Sequence, residues 1–214
     1  MMREKIIATW DEIYQKQPIS IPNNKDIGND VLNKSLDWLC DSTEAVLYFG
    51  CGSGTVLFYC ALRGVTNLKG IDISEQAILK AKKRAAKMSF GGYDFICGDR
   101  TLLSRFTDSS IDGVILFNIL DNLPPEEALR VLQEVHRLLK DNGKVIIKVN
   151  PFLTKKQISK WNIKVIKDNL LDDGFCFGIK QQKHGFQSLQ KFLRLWKLMK
   201  FIILLMTKQI DCFF

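Results

Sequence analysis

The sequence predicts an α/β fold, a three-layer Rossmann-like sandwich around a mainly parallel sheet, and three observations carry that prediction. The first is the run A-V-L-Y-F-G-C-G-S-G at residues 45–54, a short apolar strand emptying into a loop with glycine at every second position. The second is Asp72, which ends another apolar run, L-K-G-I-D-I, 22 positions after Gly50. Nucleotide-type folds place a ribose-binding carboxylate at about that interval of ~20 residues. The third is the run D-G-V-I-L-F-N-I-L at 112–120, apolar throughout its middle as a central parallel strand must be. Strand and helix signals alternate at short spacing between these points, which calls for a parallel sheet with right-handed crossovers.

In order, residues 1–17 predict an amphipathic helix with Ile6, Trp10, Ile13 and Tyr14 on one face, and 20–29 a loop rich in Pro and Asn. Residues 31–40 predict a helix turning Val31, Leu32, Leu36 and Leu39 inward. After the glycine loop come a helix at 55–64 closed by Gly64, a strand at 67–73, and a helix at 74–87 started by Ser74. The segment K-A-K-K-R at 80–84 on that helix predicts a solvated face. Strand three covers 93–97 and runs into G-D-R. Pro124 and Pro125 open a helix where a missing N–H costs little, with Leu129, Leu132, Val135 and Leu139 as its inner stripe and His136 on its polar face. The turn D-N-G leads into a strand at 144–150, Pro151 ends it, and 154–171 predicts a further helix.

The glycine spacing separates two kinds of site. A dinucleotide fingerprint, G-x-G-x-x-G, would put its third glycine at position 55, which is Thr55, and this disfavours a nicotinamide oxidoreductase. The spacing found, G-x-G-x-G, resembles the first motif of the class I S-adenosylmethionine-dependent methyltransferases, and the likeness runs from about Trp10 to Gly174. One departure lies at its centre, where the family's acidic residue falls on Tyr48.

The resemblance implies S-adenosylmethionine as the cofactor and a set of residues around it. Gly50, Cys51 and Gly52 would lie under its methionine and ribose, with Tyr48 at the methionine end. Asp72 would accept hydrogen bonds from the ribose hydroxyls and Ile73 would pack on the adenine. Asp99, with its neighbour Arg100, matches the position that binds the adenine amino group. Asn118 falls where the family contacts cofactor and substrate, and Asp121 and Asn122 follow in a loop that would face the acceptor. For Asp72, Asp99 and Asn118 the residue types also fit plain structural roles, as helix cap, turn residue and buried amide. Residues 1–174 form the expected methyltransferase domain, with 1–42 as a helical cap.

Transfer from a sulfonium is mostly alignment, so no catalytic residue is named. Neither N-P-P-Y nor D-P-P-Y follows strand four, which disfavours DNA and protein-amide acceptors and favours a small molecule. Six cysteines without a C-x-x-C pair, most of them in apolar strands or helices, and only two histidines argue for mostly buried thiols of a reducing compartment and against a metal site. With no signal-peptide pattern at the N-terminus and no apolar run of ~18 residues, the expected location is the cytoplasm.

The net charge of +8 is concentrated in residues 175–214, where seven basic residues meet one acid. That segment reads as a basic amphipathic stretch with an almost continuous apolar run, unlike the helix and antiparallel strand pair that end this family's domain. Two readings stand for it. In one it is a frameshifted product beginning near Gly174, which would leave a sheet edge unpaired. In the other it is a genuine basic helix for an anionic membrane surface, and the chain keeps the fold without the transfer reaction.

Overall fold

The computed structural model describes residues 2–150, 154–167, 170–172, 177–178 and 200–205. Helices α1 (Met2–Lys16) and α2 (Asp30–Cys40) precede a sheet of six parallel strands. Its first five are β1 (Ala45–Phe49), β2 (Asn67–Asp72), β3 (Gly92–Cys97), β4 (Ile111–Phe117) and β5 (Leu139–Val149). Helices α3 (Thr55–Ala61), α4 (Glu75–Ala85) and α5 (Pro125–Leu138) make the crossovers from β1, β2 and β4, and a 3-10 turn at Arg100–Arg105 follows β3. The order is β3-β2-β1-β4-β5, so the chain works outward from β1 in one direction and returns to continue in the other. The reversal opens a crevice at the carboxyl ends of β1 and β4.

Strand periodicity divides the core into two layers. Val46, Tyr48, Leu68, Phe95, Ile115, Phe117 and Ile146 face Leu32, Leu36 and Leu39 of α2, the apolar side of α3, and Ile78 of α4. The alternate residues Ala45, Leu47, Phe49, Val114, Leu116, Val145 and Ile147 face Val131, Leu132, Val135 and Leu138 of α5. Every residue of β1 is buried. Its start is tied to β4 by Asp112, whose carboxylate accepts the Glu44 and Ala45 N–H groups at 3.2 and 2.8 Å and pairs with Lys140 at 2.8 Å.

Several expectations change. Val31 and Leu129 are exposed, because the buried stripes run Leu32-Leu36-Leu39 and Val131-Leu132-Val135-Leu138. Leu139 is buried but belongs to β5, where it pairs with Ile111 before the register shifts at Gly113. The helix expected over 154–171 is cut to α6 (Lys155–Lys160), started by a Thr154–Gln157 capping box. Asn162 then turns left-handed at φ +51°, and the β-branched run that follows enters β6 (Lys164–Lys167). β6 pairs antiparallel with β7 (Leu170–Asp172), and β7 with β8 (Phe177–Gly178).

The outer edge of β5 is not left open. Strand β9 (Lys200–Leu205) pairs with it in parallel, from Lys144↔Lys200 to Val149↔Leu205. Those six residues are therefore neither part of a helix nor the antiparallel closing strand of the family. Apart from Phe177–Gly178 in β8, the rest of the atypical segment, Cys176 and Cys212 included, lies outside the described residues. Among the described residues no helix is long and apolar enough to cross a membrane.

Candidate active site

The site begins where β1 ends. The Gly50 and Cys51 N–H groups both donate to the Ile71 carbonyl, at 2.8 and 3.0 Å, which folds the loop back over β2. Gly50, Gly52 and Gly54 have φ of +75°, +53° and +78°, a region costly to side-chain-bearing residues. The loop then meets Asp72 at the end of β2. Gly52 N–H donates to Asp72 Oδ2 at 2.7 Å, and Ser74 N–H to Oδ1 at 2.9 Å. Burial holds the Asp72 carboxyl above the usual carboxylate range; the Ser74 and Gly52 N–H groups pull the other way.

Helix α1 lies across this loop, whereas α2 packs on the sheet. A Cβ placed on Gly52 would clash with the Tyr14 hydroxyl, so Tyr14 would have to shift to admit a side chain there. Tyr14 is stacked on Trp10 with ring centroids 6.0 Å apart. One turn away, Asp11 accepts the Ser74 hydroxyl at 2.6 Å and the Gln76 N–H at 3.0 Å, binding α1 to the start of α4. Arg3 forms an ion pair with Asp99.

The remaining expected residues occupy several settings. Tyr48 is buried against Phe117, ring centroids 5.8 Å apart and edge-on, and burial raises its hydroxyl pKa well above the ordinary value. Burial does the same to the Cys51 thiol, which therefore stays protonated. Ile73 is half-buried, its carbonyl 3.6 Å from the Cys97 thiol. Asp99 caps the turn after β3, accepting the Thr101 N–H and hydroxyl at 2.9 and 2.6 Å, and the hydroxyl bond leads in lowering its pKa. Arg100 is paired with Glu127 of α5. Asn118 stands past β4 in a left-handed conformation, φ +52°, and its Oδ1 accepts Lys148 Nζ at 3.2 Å. Gly50, Cys51, Gly52 and Asp72 are thus joined directly, while Arg100 is drawn to a helix on the opposite face.

Two basic residues read as solvated prove to be buried supports. Arg84 is 5% exposed and its guanidinium donates to Ser20 O (2.6 Å), Ser53 O (2.8 Å), Ser53 Oγ (3.0 Å) and Thr55 Oγ1 (2.8 Å). It also sits 4.7 Å from the Phe58 ring centroid. Lys80, one turn earlier and 8% exposed, donates to the Gln17 carbonyl. The two stand four residues apart, the one sequence signal that they share a face. Asp11 and Tyr14, three apart on α1, carry the same signal.

Comparison with known proteins agrees with this geometry. A methyltransferase-domain family model matches residues 46–143, from the second residue of β1 into β5. A ubiquinone biosynthesis O-methyltransferase of Neisseria meningitidis is 29% identical over 102 residues, 48% of this chain and 42% of that protein. A tRNA N(3)-methylcytidine methyltransferase of Schizosaccharomyces pombe is 25% identical over 169 residues, 75% of this chain and 54% of that one. The chain spans about two fifths to two thirds of the length of the curated relatives it matches. The crystal structure of a SAM-dependent methyltransferase from Archaeoglobus fulgidus superposes with a TM-score of 0.60 over 89% of this chain and 73% of that one; at 18% identity the likeness is one of fold. With the glycine loop, the strand-end Asp72, the strand order and the family match in agreement, residues 46–143 carry a methyltransferase domain, and S-adenosylmethionine is the cofactor that such a domain takes.

Proposed function

We propose that the chain transfers a methyl group from S-adenosylmethionine to a small-molecule acceptor in the cytoplasm. The observation that carries this is the junction of a bare glycine loop with a half-buried carboxylate, Gly52 N–H on Asp72 at 2.7 Å. The residues present fit the cofactor: a side chain at Gly52 would block the loop, and Asp72 is a carboxylate with acceptor capacity beyond its two N–H partners. Gly50, Cys51 and Gly52 hold the methionine and ribose, Asp72 takes the ribose hydroxyls, and Ile73 packs the adenine. Asp99 takes the adenine amino group with Arg100 beside it. Tyr48 and Asn118 bound the methionine end.

The bound cofactor supplies an electrophilic methyl group on a good leaving group. The chain supplies alignment and exclusion of water. Tyr14 stands over Gly52 and Arg3 over Asp99, so α1 is the element that must withdraw to admit the cofactor and return to seal it. A small acceptor suits a crevice closed in this way, as does the O-methyltransferase relative, which acts in ubiquinone biosynthesis.

Thermal unfolding with S-adenosylhomocysteine tests the site. At 100 times its Kd a ligand adds about 2.7 kcal/mol, and for a chain of this size that raises Tm by about 5–11 °C. Asp72→Ala should remove the rise. A folded wild-type chain showing none would refute the proposal.

A further inference from the structure

Past β4 the chain makes a short 3-10 turn, Leu120–Asn122, and places Asp121 in it at 4% exposure. Asp121 Oδ2 accepts the Asn150 N–H at 2.8 Å, linking the loop after β4 to the end of β5. Its other oxygen, Oδ1, is buried and has no hydrogen-bond partner within normal geometry among the described residues, although the Asn150 side chain and Lys148 are near enough to favour the charged carboxylate. Native chains leave few such atoms, and the exceptions call for an explanation.

The surroundings point to a ligand. The sheet below is apolar, yet Asn118, Asp121, Asn122, Lys148 and Asn150 meet at the carboxyl ends of β4 and β5. Lys148 Nζ donates to Asn118 Oδ1 at 3.2 Å, and the Asn122 amide donates to the Asn118 carbonyl. Ile119, two residues before Asp121, lies 3.0 Å from where a Cβ on Gly50 would stand, so this turn borders the glycine loop directly. The polar group therefore adjoins the glycine loop, where the proposed site would hold the methionine end of the cofactor.

We infer that Asp121 Oδ1 accepts the hydrogen of the methyl acceptor's nucleophilic atom, and that the acceptor is a hydroxyl, amine or ring N–H compound rather than a thioether or tertiary amine. This rests on the methyltransferase reading above. In the transfer the nucleophile's lone pair forms the bond to the methyl carbon. The carbon–sulfur bond breaks with its pair passing to sulfur, which becomes a neutral thioether. The acceptor's proton passes to Asp121 Oδ1 and from there to water. Burial already raises the affinity of this carboxyl for a proton.

The test compares phenol with anisole, the same ring with the hydroxyl hydrogen replaced by methyl, in binding titrations followed by NMR in the presence of S-adenosylhomocysteine. The wild-type chain should bind phenol at least five-fold more tightly than anisole. Asp121→Asn should bring the two within two-fold, because its one carbonyl oxygen is needed for the Asn150 N–H and its NH2 serves both probes alike. S-adenosylhomocysteine affinity should not change in the variant. If Asp121→Asn does not fold, Asp121→Ser keeps an acceptor for Asn150 and should give the same result. Equal binding of the probes by the wild type, no binding of phenol, or a preference that survives substitution overturns the inference. Loss of S-adenosylhomocysteine binding by the wild type would instead strike the methyltransferase reading, and the probe pair is then read on the unliganded chain.

Discussion

Arg84→Met removes the guanidinium that ties the glycine loop to α4 while keeping most of the side-chain volume. Three carbonyl or hydroxyl partners within the loop region, Ser53 O, Ser53 Oγ and Thr55 Oγ1, lose their donor together with Ser20 O. Hydrogen bonds to a charged donor contribute about 1.5–3 kcal/mol each, but burial opposes the charge here and pulls the Arg84 pKa down to about 10. Those two effects partly cancel, and a net loss of about 3 kcal/mol is expected, set mainly by the acceptors left unpaired. For a chain of this size that lowers Tm by about 6–12 °C. Arg84→Lys should recover part of the loss, because an ammonium cannot span Ser20, Ser53 and Thr55 at once. Melting curves by circular dichroism read the effect, and added salt should leave it almost unchanged, since the group is shielded from solvent. A drop below 2 °C for Arg84→Met, or full recovery by Lys, would refute the assignment of Arg84 as a loop support.

Gly52→Ala should cost about 1–2 kcal/mol for its left-handed backbone and about 1 kcal/mol more for displacing Tyr14; in a Tyr14→Ala background only the first part should remain. Equal losses in both backgrounds would contradict the contact. Asp72 carries a folded-state pKa raised by burial, so its ionised form weakens the fold and protonation relieves that as pH falls through the raised value. The Tm difference between Asp72→Asn and wild type should therefore shift in favour of wild type as the pH is lowered from neutral toward the ordinary Asp pKa of about 3.9, and a constant difference would count against it. Tyr48→Asp should strengthen cofactor binding by one to two decades, about 1.5–3 kcal/mol, while costing about 3–5 kcal/mol of stability through the lost Phe117 contact; unchanged affinity would discard the idea. Sequencing the encoding DNA should find an open alternative frame from Gly174 onward, and stop codons in it would end the frameshift reading.

The legible part of this protein was the part fixed by local pattern. The buried β1, the glycine spacing, the Ser74 cap and the Pro124–Pro125 helix start are set by neighbouring residues, and each is found as read. The illegible part depends on partners far along the chain. Lys80 and Arg84 look solvated on α4, yet carbonyls of residues 17, 20 and 53 draw them inside. Asp11 gave no hint of the Ser74 hydroxyl 63 residues away. Val31 and Leu129 were misplaced because an apolar residue at the margin of a helical stripe can face either way, and the sheet decides. Asn162 stopped α6 by a left-handed turn that helical periodicity does not register. Asp121 was expected in the loop facing the acceptor, but the burial of one of its oxygens without a partner depends on the end of β5 and is not written in the local sequence.

A calorimetric titration of the purified, monodisperse chain with S-adenosylmethionine tests the central claim most directly. Micromolar binding at one site per chain, lost in Asp72→Ala, is the predicted result and would establish that the glycine loop works with Tyr48 in place of a carboxylate. No heat from a folded wild-type chain would contradict it, leaving the fold as ancestry without cofactor chemistry.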